Sequence, residues 1–164
     1  MSETNWLSSD EQYAWRGFLL ASRLIMDQLN RELHDAHDLS LTDYAILVRL
    51  SEESDHRLRM TELAASSGLS KSRLSHQMKR LEQRGLTTRS TCPDDARGTN
   101  AELTETGFKA LEEASHTHVR GVREHLLDHF DPDQVAELAR WTEEVVHHLD
   151  RDGRSGPLLP TCGQ

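Results

Sequence analysis

Apolar residues recur at helical spacing over most of this chain, in stretches bounded by capping residues and glycines. The spacing predicts a long first helix starting at Ser8 or Ser9 and running to about Asp35. Trp15, Phe18, Leu19, Ile25, Met26, Leu29 and Leu33 form its stripe. A second helix is expected from about Thr42 to Glu52, followed by a polar link, SEESDHRLR. Thr61 reads as the N-cap of a short third helix that Gly68 ends, and Ser70 as the N-cap of a fourth that Gly85 ends. Leu86 to Thr91 and Asn100 to Leu103 read as a hairpin around CPDDARGT, punctuated by Pro93 and Gly98. Thr104 is the expected cap of a fifth helix, with Phe108, Leu111, Val119, Val122, Leu126 and Phe130 as its stripe. Asp131-Pro132 starts a sixth, because proline is tolerated at the first helical position.

The fourth helix has the most specific pattern. Leu74, Met78 and Leu81 share one stripe and must face a core, so Ser72, His76 and Lys79 point away from it, flanked by Arg73, Ser75 and Arg80. Hydroxyls, an imidazole and long cations thus gather near a helix N-terminus, where the backbone already favours anions. A short helix, a Gly turn, a basic helix and a hairpin are the parts of a winged helix-turn-helix in their usual order. The expected fold is mainly α with a small β-hairpin wing, and duplex DNA is the leading partner.

Charge sharpens this reading. The chain of 164 residues carries a net charge of -9. From Arg57 to Arg97, nine Lys/Arg stand against four acids, a net +5, which leaves -14 for the remainder. A basic island in an acidic chain is an electrostatic footprint for phosphates, and the acidic remainder repels DNA from other faces. No Phe, Tyr or Trp lies between Ala45 and Gly107. Single-strand binders stack bases on aromatics, so the duplex is favoured. A helical adaptor that uses the winged shape to bind an acidic protein is the alternative.

One domain over 1–150 is expected, with a winged lobe at 40–104 and flanking helices at 8–36 and 105–150. The Gly/Pro-rich segment 151–164 is expected to be disordered. The flanking stripes exceed what the lobe can cover, which favours an interface between two copies over a second core. No apolar run approaches the roughly 18 to 20 residues of a membrane span. MSETNWLSSDEQ is not a secretory signal, and two cysteines make no disulfide framework, so a reducing cytoplasm is expected. The pairs His34/His37 and His125/His129 have helical ligand spacing but lack companion ligands, so no metal and no cofactor is expected. Cys92, at the base of the wing, reads as structural. There is no GxSxG, GxxxxGK[ST] or HExxH, and no enzyme is expected.

The motifs together resemble the MarR family, the multiple-antibiotic-resistance-type regulators of bacteria. The matching parts are Thr61-Glu-Leu-Ala64, Gly68-Leu-Ser70, Arg80-Leu-Glu-x-x-Gly85-Leu, Asp95-x-Arg97 and Leu103-Thr-x-x-Gly107, over roughly residues 10 to 150. The resemblance implies a homodimeric transcriptional regulator, most often a repressor, with a recognition helix in the major groove and a wing at the adjoining minor groove. It implies base contacts by Arg73 and His76, and phosphate or base contacts by Ser70, Lys71, Ser72, Ser75 and Lys79. Arg97 becomes the wing arginine and Asp95 its brace, while Ala96 stands where some relatives have a second basic residue. It also implies release of DNA by a small aromatic or lipophilic anion. Trp15, Phe18, Met26 and Tyr44 are the candidate pocket residues, with Arg16 or a histidine to pair the anion.

Overall fold

The computed structural model describes residues 4–92 and 95–150, and of residues 92 and 95–97 the backbone alone. Helix α1 (Ser9–His37) begins at a capping box in which the Ser8 hydroxyl accepts from the Glu11 N–H and the Glu11 carboxylate accepts from the Ser8 N–H. It leads to α2 (Leu41–Ser51), β1 (Arg57–Arg59), α3 (Met60–Ser66) and α4 (Lys71–Gln83). Then come β2 (Thr87–Cys92), β3 (Asp95–Leu103), α5 (Glu105–His125) and α6 (Pro132–Leu149). The strands form one antiparallel sheet in the order β1-β3-β2.

Local chemistry sets most boundaries where the sequence places them. Ser70, Thr104 and Asp131 each accept a backbone N–H three residues on, from Arg73, Gly107 and Gln134. Gly68 and Gly85 adopt φ of 63° and 71°, the left-handed region that a Cβ disfavours. Beyond each glycine the chain closes a Schellman-type turn: Leu69 N–H donates to Ala64 O at 2.9 Å and Leu86 N–H to Leu81 O at 3.0 Å.

Four expectations need correction. Thr61 is not a cap; α3 starts two residues earlier than such a cap implies, at Met60, with Arg59 at its N-cap position and no side-chain cap bond. The reason lies in the polar link, which contains a strand. Leu58 of β1 pairs with Ala101 of β3, and this pairing delivers the chain straight into α3. The hairpin is longer than expected, because β3 begins at Asp95 and its pairing with β2 continues past an irregularity at Thr91/Cys92. The fifth helix buries a face that meets the predicted stripe only in part: Leu111 is inside as expected, together with Gly107, Ala114, Thr117 and Gly121, whereas Phe108 and Val119 are exposed and Leu126 and Phe130 lie beyond its end. Small residues line that face because α5 packs closely. A Cβ on Gly121 would stand 2.5 Å from Glu32 Oε2 and 2.7 Å from Leu29 Cδ2, both on α1. A Cβ on Gly107 would collide with the Leu86 carbonyl and lie 2.8 Å from Leu103 Cδ1.

The core is one cluster. Leu33 at the end of α1, Ile46, Leu47 and Leu50 of α2, and Leu63 of α3 meet Leu74, Met78 and Leu81 of α4. Ala101 of the sheet and Leu111 and Ala114 of α5 close it. Burying these side chains removes about 1.5 to 3 kcal/mol each from water, which holds α4 rigidly against the lobe. The terminal helices are a contrast. Helix α6 has no buried residue, and Leu19, Leu20 and Leu24 on α1 are about half exposed. Residues 151–164, expected to be disordered, lie outside the described residues.

Candidate nucleic-acid interface

The stripe of Leu74, Met78 and Leu81 is completely or almost completely buried, which fixes the rotation of α4. Lys71, Ser72, Arg73, Ser75, His76 and Lys79 are all exposed on the remaining face. Ser70 Oγ accepts from Arg73 N–H at 3.3 Å and lies 3.2 Å from Ser72 Oγ, so the hydroxyls are gathered at the start of the helix. No acidic residue occupies the first turn of α4. The N-terminal end of the helix dipole and Lys71 therefore act together, and an oxyanion there meets backbone N–H groups as well as cations.

The basic island sorts into two populations that its composition did not distinguish. Arg80 donates from Nη2 to Asp43 Oδ2 at 2.8 Å, and Asp43 is completely buried. The same Asp43 oxygen accepts from Ser40 N–H at 3.0 Å and Ser40 Oγ at 2.7 Å, closing the capping box of α2. Arg84 donates to the carbonyl oxygens of His37 and Asp38 at the end of α1. Arg89 forms a two-point pair with Glu82, at 2.7 and 2.6 Å. Arg57 lies 3.2 Å from Glu102 across the sheet. These arginines brace the lobe. Lys71, Arg73 and Lys79, by contrast, form no ion pair among the described residues. Among the described cations of the island, those without an ion pair are thus on the exposed face of α4. Nothing in the sequence pattern marked Arg80 as a brace, although an aspartate three residues after a serine at a helix start is a capping signal.

The hairpin of β2 and β3 lies beside α4, tied to its C-terminal end by the Arg89–Glu82 pair. Ser90 Oγ donates to Glu102 across the strands. Asp95, Ala96 and Arg97 belong to β3, but their side chains, like that of Cys92, lie outside the described residues, as do Pro93 and Asp94.

The sequence-predicted pocket residues divide. A cavity of about 520 Å³ opens between α1, α2 and α5, and Met26 and Tyr44 line it. Trp15, Arg16 and Phe18 do not line it. Trp15 stacks on Phe18, and Phe18 meets the Trp141 ring edge-on at 5.4 Å, joining α1 to α6. Sequence reasoning missed His118, whose ring lies 4.5 Å from that of Tyr44 at the cavity wall. Burial pushes the His118 pKa below the ordinary histidine value, so its neutral form is favoured. Ser66 and Ser67 also line the cavity, immediately before the Gly68 turn that leads to α4. The histidine pairs are engaged elsewhere: His37 Nε2 lies 2.9 Å from Thr117 Oγ1, and His125 Nε2 lies 2.6 Å from Glu32 Oε1.

A buried-stripe helix with an unpaired cationic face, reached through a glycine turn and flanked by a hairpin, defines a winged helix-turn-helix DNA-binding protein. Comparison with known proteins gives the family. The sequence model of the MarR family matches residues 39–99. The crystal structure of AbsC, a MarR family transcriptional regulator from Streptomyces coelicolor, is similar, with 40% identity and a TM-score of 0.83. It covers 89% of this chain and 98% of that one. Sco3205, a MarR family transcriptional regulator from the same organism in complex with DNA, shares 38% identity with a TM-score of 0.84. That likeness covers 88% of this chain and 94% of Sco3205. The HTH-type transcriptional regulator MhqR of Bacillus subtilis (strain 168) is 30% identical over 104 residues, 63% of this chain and 70% of MhqR. The chain belongs to the MarR family and is a DNA-binding transcriptional regulator. This places it apart from the helical adaptor that was the alternative. Among the described residues, no helix is long and apolar enough to cross a membrane.

Proposed function

We propose that this protein is a homodimeric, ligand-responsive repressor that works in the cytoplasm at near-palindromic operators. The observation that carries this reading is the partition of the basic island: Arg57, Arg80, Arg84 and Arg89 are braced, and on the exposed face of α4 Lys71, Arg73 and Lys79 form no ion pair among the described residues. Arg73 and His76 read base edges. Ser70, Lys71, Ser72, Ser75 and Lys79 hold phosphates or neighbouring bases, and Arg97, steadied by Asp95, reaches the minor groove. Dimerisation is supported by the half-exposed apolar stripes of α1 and α6, which no part of the described chain covers. Two recognition helices in such a dimer meet major grooves one helical turn apart, roughly 34 Å.

The effector site is the cavity between α1, α2 and α5. Its wall includes Ser66 and Ser67, so an occupant bears directly on the turn that aims α4. A small aromatic or lipophilic effector that prefers a dimer with altered recognition-helix spacing lowers operator affinity by its differential affinity for the two states.

The test is fluorescence anisotropy with labelled duplex from the gene's own upstream region, against random duplex and across a salt series. Tight, salt-sensitive binding that prefers the upstream duplex is the expected result. Equal binding to both moves the operator elsewhere, and no binding to either at low salt refutes the assignment of the α4 face.

A further inference from the structure

We propose that the ligand of the α1/α2/α5 cavity is an uncharged, mainly apolar molecule with one hydrogen-bonding end, and that carboxylates of the same shape are excluded. This inference rests on the effector reading given above and departs from the anionic effector that the family resemblance implies.

The charge balance of the wall carries it. Arg49 is the one lining residue with a permanent charge, and it is already neutralised: Nη1 donates to Glu52 and Nη2 to Glu53 at 3.3 Å. One guanidinium against two carboxylates gives the cluster a formal charge of about -1. A carboxylate entering here sheds its hydration and finds no net positive charge in exchange. His118 does not supply one, because burial favours its neutral form.

The wall does offer hydrogen bonds. Arg49 Nε, Ser67 Oγ and His118 Nδ1 are all buried and without a partner among the described residues. Buried polar atoms are ordinarily satisfied, and all three belong to residues that line the cavity, so a small side-chain rotation that turns one of them toward an occupant gains a hydrogen bond without breaking one. Tyr44 is not among them, since its hydroxyl donates to Ser115 Oγ at 3.3 Å. A neutral hydroxyl or amide that meets one of them completes that hydrogen bond without bringing a charge. Its apolar body then lies along Met26 and Val48. The volume of about 520 Å³ accommodates a fused bicyclic ring system.

The probes are 2-naphthol and 2-naphthoate, matched in shape and differing in charge at neutral pH. Binding is read by titration calorimetry on the full-length protein, and release is read by anisotropy of the operator duplex. Naphthol is expected to bind at least about tenfold tighter than naphthoate. The double variant Glu52→Gln/Glu53→Gln, which uncovers the Arg49 charge, is expected to close that gap. Ala45→Phe, from an exposed position on the cavity wall, should abolish binding of both probes while leaving the core and DNA binding intact. Naphthoate binding as tightly as naphthol on the unmodified protein overturns this inference and leaves the effector cavity standing. If neither probe binds while operator binding is intact, both the inference and the effector reading of this cavity fall.

Discussion

Asp43 is the residue whose removal tests most directly how the recognition helix is held. It is completely buried at the start of α2, and its Oδ2 accepts from Ser40 N–H, Ser40 Oγ and Arg80 Nη2. Asp43→Ala removes the two Ser40 bonds, together a cap interaction worth about 1 kcal/mol, and the Arg80 bond, worth about 1.5 to 3 kcal/mol. Breaking a buried pair costs as much as about 3 to 5 kcal/mol when the surviving charge has no access to water. Here the survivor has access, because the Arg80 side chain is 45% exposed. The expected loss is therefore about 2 to 4 kcal/mol, at the lower side of the buried-pair range. For a domain of this size that lowers Tm by roughly 4 to 16 °C, at about 2 to 4 °C per kcal/mol. Asp43→Asn keeps the shape and the cap acceptor but loses the charge, and should cost about half as much. The assay is chemical denaturation of the single variants, Arg80→Gln and the double variant, read as a double-mutant cycle. A coupling energy of about 1 kcal/mol or more is expected between Asp43 and Arg80. Coupling indistinguishable from zero, or a loss under about 1 kcal/mol for Asp43→Ala, would refute the claim that this pair ties α4 to α2.

Three further outcomes are expected. Arg73→Ala and His76→Ala should each cost about 1 to 3 kcal/mol on the operator and little on random duplex, whereas Lys79→Ala should weaken both alike and flatten the salt dependence in anisotropy titrations. Gly107→Ala should destabilise by about 1 to 3 kcal/mol or more in thermal melts, although alanine is the better helix former, because its Cβ collides with the Leu86 carbonyl and crowds Leu103. His118 should make stability depend on pH: its folded pKa is depressed by burial, so its contribution is complete above the ordinary value of about 6.5 and is lost as pH falls through the folded value. Melts between about pH 7.5 and about pH 5.5 should therefore show a smaller acid-side loss for His118→Gln than for the unmodified protein, and identical losses would remove His118 from that slope.

What the sequence made legible was local. Ser70, Thr104 and Asp131 announce their helices because a cap needs only an oxygen and an N–H three residues apart, and both lie within one short word of sequence. The outward face of α4 was legible because Leu74, Met78 and Leu81 leave a single possible rotation. What stayed hidden depends on partners far along the chain. Strand β1 is the tripeptide Arg-Leu-Arg among polar residues, and it becomes a strand only because Ala101 and its neighbours arrive from β3. The buried face of α5 was assigned only in part, at Leu111, because periodicity follows large side chains, whereas closeness to α1 selects Gly121 and Ala114 and leaves Val119 outside. The pocket was half legible for the same reason. Met26 and Tyr44 are apolar enough to attract notice, but His118 lies on a helix seventy-odd positions from Tyr44 and signals nothing until their rings meet.

The arginines that brace the lobe also bear on how such a protein finds its site. Affinity for arbitrary DNA scales steeply with the number of phosphates a protein neutralises. With Arg57, Arg80, Arg84 and Arg89 held by partners within the chain, fewer cations are free to track the backbone, and the acidic body adds repulsion. Weak binding to arbitrary DNA is the expected consequence, with a search that relies on short encounters through solution more than on long one-dimensional sliding.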